Sequence, residues 1–242
     1  MRQPAPRPTA IHRPRPAVIA VEGCCFAGKT SLALALSRDL GVTAVPEYAD
    51  LAPLPPFPAR DLDDVHAALD YLLGVERRRT AAIRSSPGHN AVVVCDRSPL
   101  SCIAFQRAIG RLGVPSDARL AVELFAAAAG RGEIIEPDAY IYLHVDRATA
   151  LARQAVRGPV LACPMDPRVL AATQVFYQRF LDDLPPDRRL VLGGVQPHSS
   201  VVEQAARFAR AQQTLGPRPP GAWRASLGWL QPQSQAAGGR RS

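Results

Sequence analysis

Residues 17–31 read AVIAVEGCCFAGKTS, and the spacing within this stretch leaves the chain few folds to choose from. An apolar run ends in Gly23, and four residues later come Gly28, Lys29 and Thr30. Glycine, four residues, then glycine-lysine-threonine is the phosphate-binding loop pattern. It works only between a buried strand and a helix. Glycines let the backbone from Gly23 through Cys24, Cys25, Phe26, Ala27 and Gly28 to Ser31 curl around an anion. Its N–H groups then face phosphate oxygens at the positive end of a helix. Lys29 is the only lysine in the chain, while arginine occurs 28 times. A compact ammonium on a flexible stem suits a phosphate cradle, and a planar guanidinium does not fit it in the same way. The pattern therefore predicts a nucleotide's phosphates as ligand, with the Thr30 hydroxyl holding Mg²⁺.

Strand and helix signals alternate through the rest of the chain. AVIAVEG (17–23) reads as a buried strand. A helix follows over 30–41, ended by a glycine. VTAVPEYA (42–49) reads as a second strand, and 51–60 holds too many prolines for either element. From Asp61, Leu62, Val65, Leu69 and Leu72 recur at helical spacing to about Ile83. A third strand covers 91–98, with helices over 99–110 and 117–130. A fourth strand covers 139–146, with a helix over 147–157. Asp166 and Pro167 open a further helix as cap and first residue. A fifth strand covers 188–194, and Ser200 with Glu203 forms a capping-box pattern for the last helix. Such alternation predicts an α/β fold, a mostly parallel five-stranded sheet with helices on both faces.

The net charge of +8 belongs to the ends. Residues 1–16 carry four arginines and no acid, as do residues 214–242, so 17–213 is formally neutral. Both ends are rich in Pro, Gly, Gln or Ser, as disordered segments are. The expected organisation is a Pro/Arg-rich tail (1–16), one domain (17–213) able to fold alone, and a basic tail (214–242). Within the last, Trp223, Leu227 and Leu230 fall at i, i+4, i+7, a spacing that allows a short docking helix. Because the excess charge sits in tails, nucleic acid is not an expected partner. No apolar run approaches the length of a membrane span, and the first 16 residues lack the apolar stretch of a signal peptide. Five cysteines without metal-ligand spacing argue against a disulfide framework and for a reducing cytoplasm.

Asp96 stands at the end of the apolar strand VVVCD, where ligands of open α/β sheets gather. It is placed to reach the metal directly or through water, with Arg97 beside it for a phosphate or another acceptor-side oxygen. Glu47 stands at the end of the second strand.

These segments resemble a family. DRSPLSCIAFQ (96–106) resembles the D-R-[YFH]-x-x-S-x-x-A-[YF]-Q segment of thymidylate kinases, with Ser98 in place of the aromatic. LLGVERRR (72–79) resembles their L-L-F-A-A-[DN]-R helix, with Arg78 at the matching arginine. PDAYIYLHVDRATALARQAVRG (137–158) is similar to their P-D-x-x-x-Y-L-D-V helix region. The resemblance spans about 18–205, and deoxynucleoside kinases share its outline. It implies ATP and Mg²⁺ as cofactors, with Lys29 and Thr30 on the phosphates and metal. It implies Arg78 and Arg97 as acceptor ligands, Phe105 and Gln106 as base-facing residues, Ser101 as a further substrate-binding residue, and Arg153 and Arg157 in a lid over the phosphates. It also places 193–197 at the adenine-contacting loop. Cys25 replaces the family's loop aspartate and offers no hard oxygen to a metal.

Glu47 separates two acceptor classes. A hydroxyl acceptor must lose a proton, so a base is useful. A monophosphate already carries its charge and needs positive clamps. The sequence favours ATP-dependent phosphoryl transfer to a nucleoside monophosphate such as dTMP, with Arg78 and Arg97 as clamps. The alternative is a nucleoside or nucleoside-like metabolite kinase with Glu47 as base. A different class, a nucleotide-binding regulator without acceptor chemistry, predicts ATP binding without ADP release. A small-molecule nucleotide or nucleoside acceptor is the expected partner, with no membrane; a homodimer stays open.

Overall fold

The computed structural model describes residues 15–87, 92–158, 165–218 and 221–230. β1 (Ala17–Gly23) is buried along its whole length, as a strand covered on both faces must be. The loop after it feeds α1 (Lys29–Leu40), which Gly41 closes in the left-handed conformation at φ 64. β2 (Thr43–Val45) is shorter than the 42–49 expected, because Pro46 has no N–H to continue a ladder. The residues beyond it form the short α2 (Tyr48–Leu51) instead. α3 (Leu62–Arg84) starts at Asp61, whose side chain accepts from the Asp64 N–H at 2.9 Å.

β3 (Val92–Asp96) leads into α4 (Pro99–Ile109), capped by Ser98, and α5 (Ala118–Gly130) is capped by Asp117. β4 (Ala139–His144) precedes α6 (Arg147–Arg157), and α7 (Pro167–Asp182) starts at the expected Asp166-Pro167 pair. β5 (Arg189–Gly193) precedes α8 (His198–Leu215). That helix begins after Pro197 without a side-chain cap, so Ser200 and Glu203 do not form the capping box. Ser200 accepts instead from the Gln204 amide.

The sheet is parallel throughout, in the order β2-β3-β1-β4-β5. This is the predicted α/β architecture, with β1 and its loop at the centre. Side chains alternate along β1. Ala20 faces a core built from α3, α4, α5 and α7, while Ala17, Ile19 and Val21 face a second core with α1 and α8.

The ends depart from expectation. Of the two tails, 1–14 and 231–242 lie outside the described residues. The parts beside them are built into the fold. Arg15 makes two hydrogen bonds, at 2.6 and 2.9 Å, to fully buried Asp138. Asp138 also accepts the N–H groups of Val18 and Arg218, so one carboxylate ties both ends of the domain to β1. Further on, α9 (Ala222–Ser226) carries Trp223, 1% exposed, into the first core. Its indole N–H donates to the Tyr140 hydroxyl, and Leu227 is buried beside it. Trp229 packs on Phe176 and under the Arg179 guanidinium. The 214–242 segment is therefore not a free tail over 221–230. The apolar spacing of Trp223, Leu227 and Leu230 marks a docking segment, and its dock is the chain's own core. No helix among the described residues is long and apolar enough to cross a membrane.

Candidate functional site

The carboxyl ends of β1, β2 and β3 open into a cavity of 330 Å³ lined by the phosphate loop, Glu47, Arg97, Ser101, Phe105, Gln106 and Arg157. The loop takes its shape from backbone that side chains rarely adopt. Gly28 sits at φ 99, and a Cβ at Gly23 would lie 2.6 Å from the Leu143 carbonyl oxygen. The two non-glycine residues with positive φ among those described are both here, Phe26 in the loop and Arg97 after β3. Strain of this kind costs on the order of 1–3 kcal/mol per residue and persists only where surroundings enforce it.

Lys29 is buried, and its ammonium donates to the Cys24 carbonyl at 2.7 Å across the loop. Burial, reinforced by the Arg97 charge, pulls its pKa down to about 8, against the pull of Asp96 and Glu47. Asp96 is 2% exposed, and among the described residues neither carboxylate oxygen has a hydrogen-bond partner within ordinary geometry. Burial raises its pKa, opposed by the neighbouring Thr30 hydroxyl and the Lys29 charge. An orphaned buried carboxylate beside a threonine hydroxyl is a hard-oxygen donor set, of the kind that holds Mg²⁺ with few protein ligands and several waters. Thr30 and Asp96 thus fit the metal that the loop pattern implies.

Glu47 and Arg97 form an ion pair, with Arg97 Nε donating to Glu47 Oε2 at 2.6 Å. Burial would raise the Glu47 pKa, but the guanidinium beside it wins and holds the carboxyl below its usual range. Arg97 also donates to the Ser101 hydroxyl at 3.4 Å and approaches Cys25 Sγ at 3.9 Å. Cys25 is disulfide-bonded, contrary to the expectation of reduced cysteines, while Cys24, Cys95 and Cys102 are free. Burial pushes Cys95 and Cys102 up to about 12, so they act as small hydrophobes.

The structure separates the expected arginines. Arg78 is exposed and does not line the cavity. It stands nine residues after buried Leu69, about two and a half helical turns, and so on the opposite face of α3. Its neighbour Arg79, 1% exposed, points inward. Arg79 donates to the carbonyls of Asp96 (2.9 Å) and Arg97 (2.8 Å) and to Glu76 (2.9 Å), and lies over the Tyr48 ring. It is therefore Arg79 that holds the strained Asp96–Arg97 backbone. Arg157 lines the cavity, but Arg153 does not. Arg153 donates to the Phe26, Ala27 and Gly194 carbonyls, so it pins the phosphate loop to the 193–197 segment rather than reaching over phosphates.

Sequence reading also missed Glu22, 1% exposed, whose carboxylate accepts from Ser98 and Ser101 at 2.6 Å and from Tyr177 at 2.8 Å. The signal was available: an acid inside an apolar strand must find donors. This network gives Ser98 its role where thymidylate kinases carry an aromatic.

The AAA domain family matches residues 18–167 of the chain. No curated protein matches the sequence. Among solved structures, a deoxyadenosine kinase from M. mycoides with bound dCTP is similar at 19% identity and TM-score 0.60, over 80% of this chain and 99% of that one. A thymidylate kinase from Candida albicans is similar at 14% identity and TM-score 0.61, over 82% of this chain and 93% of that one. At such identities the likeness shows the fold, that of nucleoside and nucleotide kinases. With its parallel sheet and glycine-rich phosphate loop, the chain belongs to the AAA domain family and carries a P-loop kinase fold.

Proposed function

We propose that the chain phosphorylates a hydroxyl group of a nucleoside or nucleoside-like acceptor, with ATP as donor and Glu47 as base. The observation that carries this is the Glu47–Arg97 ion pair at 2.6 Å beside the phosphate loop. A monophosphate acceptor needs uncommitted positive charge at this point. Arg97 is already paired, Arg78 faces away, and the Glu47 carboxylate would repel a dianion. The sequence alone favours the monophosphate, and this pairing favours the hydroxyl. The resemblance to the M. mycoides deoxyadenosine kinase agrees with that choice at the level of fold.

In this reading the loop N–H groups and Lys29 hold the donor phosphates. The acceptor oxygen attacks the γ-phosphorus, the bond to the β-phosphate oxygen breaks, and ADP leaves. The acceptor's proton passes to a Glu47 oxygen, and Arg97 keeps that carboxylate ionised until then. Thr30 and Asp96 would hold Mg²⁺, which when bound neutralises charge on the transferring phosphoryl group.

Replacing Glu47 with Gln tests the proposal. ADP release should fall roughly 10²–10⁴-fold with the best hydroxyl acceptor. Because the Glu47 pKa is depressed, wild type should lose rate only as pH falls below the ordinary carboxylate range, and the variant should lack that acidic limb. A mild loss with the limb intact, or faster turnover of monophosphates than of nucleosides, would refute the role of Glu47.

A further inference from the structure

Arg153 stands on α6, the helix whose start is fixed by Asp146 accepting the Thr149 N–H at 2.7 Å. It is half-buried, and its guanidinium is engaged by the backbone of two separate segments. Nη1 donates to the carbonyls of Phe26 at 3.1 Å and Ala27 at 3.0 Å, and Nη2 donates to the carbonyl of Gly194. Two of these carbonyls belong to the phosphate loop, and the third belongs to the turn after β5.

The carbonyl and the N–H of one trans peptide unit point in opposite directions. Holding the Phe26 carbonyl outward therefore turns the Ala27 N–H back across the loop, where it donates to the Cys24 carbonyl at 3.3 Å. That same carbonyl accepts from the Lys29 ammonium at 2.7 Å. Holding the Ala27 carbonyl outward turns the Gly28 N–H away from Arg153 in the same way. The grip also falls where the backbone needs it. Phe26 sits at φ 61, a conformation that persists only where its surroundings enforce it. The turn is seated just as closely. The Gly194 N–H donates to the His144 carbonyl at 2.7 Å. A Cβ on Gly194 would lie 2.4 Å from Val145 Cγ1 and 3.3 Å from the Ala27 carbonyl oxygen. A branched valine side chain has little freedom to yield.

We infer that Arg153 is a positioning residue for the phosphoryl donor, one that preforms the phosphate loop through the Phe26 and Ala27 carbonyls and ties the loop's shape to the turn at Gly194. It does so without touching a phosphate. The inference rests on the kinase reading for its donor half alone, and needs neither Glu47 nor any acceptor.

Calorimetric titration of the full chain with inorganic tripolyphosphate tests this, because that probe has the donor's phosphate chain and no base. Arg153→Met should weaken binding roughly ten- to a hundredfold, the usual scale for lost hydrogen bonds to a charged group. Arg153→Lys keeps the charge, but its single nitrogen cannot span both segments as the guanidinium fork does, so it should stay weak. Gly194→Ala leaves every charge in place, yet it should weaken binding too, because the turn is pushed off Ala27. Combined with Arg153→Met it should add nothing further, since both changes break one coupling. Without ligand, amide exchange at Ala27 should speed up in each variant while exchange along β1 stays as in wild type. A general loss of stability would not produce that local change. Circular dichroism identifies the folded variants, and any one of them carries the test. Wild-type affinity in Arg153→Lys would show that charge alone matters. That result, undiminished binding in Gly194→Ala, unchanged exchange at Ala27, or a wild type that does not bind tripolyphosphate would overturn the inference. No acceptor is present, so this clamp can hold while Glu47 fails as a base, and the reverse.

Discussion

At the scale of single residues the chain separates what a motif fixes from what only geometry supplies. Lys29 was legible because the loop pattern admits one residue type there and the rest of the chain avoids it. Its titration was not, since it comes from burial under the loop and from Arg97, which approaches from another strand. With a pKa of about 8 in the free protein, Lys29 loses its proton in mildly alkaline solution. Bound phosphates favour the charged form, so nucleotide binding takes up a proton there. The dissociation constant should be flat below pH 8 and rise up to roughly tenfold per pH unit above it. A fluorescent-nucleotide titration checks this, with Lys29→Met expected to bind weakly and without the alkaline slope. A wild-type affinity unchanged to pH 9.5 would count against the charge role. The same shift has a sign in stability. Below pH 8 lysine is charged in both folded and unfolded chains. Between about 8 and the ordinary 10.5 only the unfolded chain keeps the proton, so the free protein gains stability as pH rises through that window.

At the scale of elements, the sequence showed each strand and the long helices, because burial on two faces or on one stripe leaves a periodic trace. It failed where partners decide. β2 is three residues long because Pro46 interrupts it, and α8 begins at Pro197 without the expected box. In α3 the helix was plain, yet the family-matched arginine fell on the wrong side by one residue. Three consecutive arginines hide the answer unless the phase from Leu69 is followed. Arg79 is the one that turns inward, where Glu76 balances its charge and Tyr48 covers it. Burial raises the Glu76 pKa, and Arg79 opposes that rise. Arg79→Met should therefore strand a buried carboxylate and cost about 3–5 kcal/mol. Adding Glu76→Gln should return much of that stability, as read by urea denaturation. Turnover should stay low in the double variant, because the Asp96 and Arg97 carbonyls still lack their donor. A double variant no more stable than the single one would show that the pair is not the coupled unit described.

At the scale of the whole molecule, composition misled where it was followed furthest. Proline, glycine and arginine at the two ends have the composition of free tails, and counting charge cannot reveal that Asp138 waits in the interior for Arg15 and the Arg218 N–H. Nor can it reveal that the first core is incomplete until Trp223 and Leu227 enter it. A chain cut after 213 should thus lose stability rather than fold as well as the full protein. Trp223→Ala should already cost about 3–5 kcal/mol, the usual loss for a buried tryptophan. Trp223 and Trp229 are the only tryptophans in the chain, so intrinsic fluorescence reports on this segment alone. Far-UV circular dichroism reports instead on helices throughout the domain. If the segment completes the core, the two signals should follow one denaturation curve with a single midpoint. If it were an ornament on a self-sufficient domain, fluorescence would change at lower denaturant than circular dichroism. Truncation at 213 would then leave the midpoint of the circular dichroism curve where it was. Burial of Trp223 at 1% exposure, with its indole N–H bonded to Tyr140 on β4, favours the single curve.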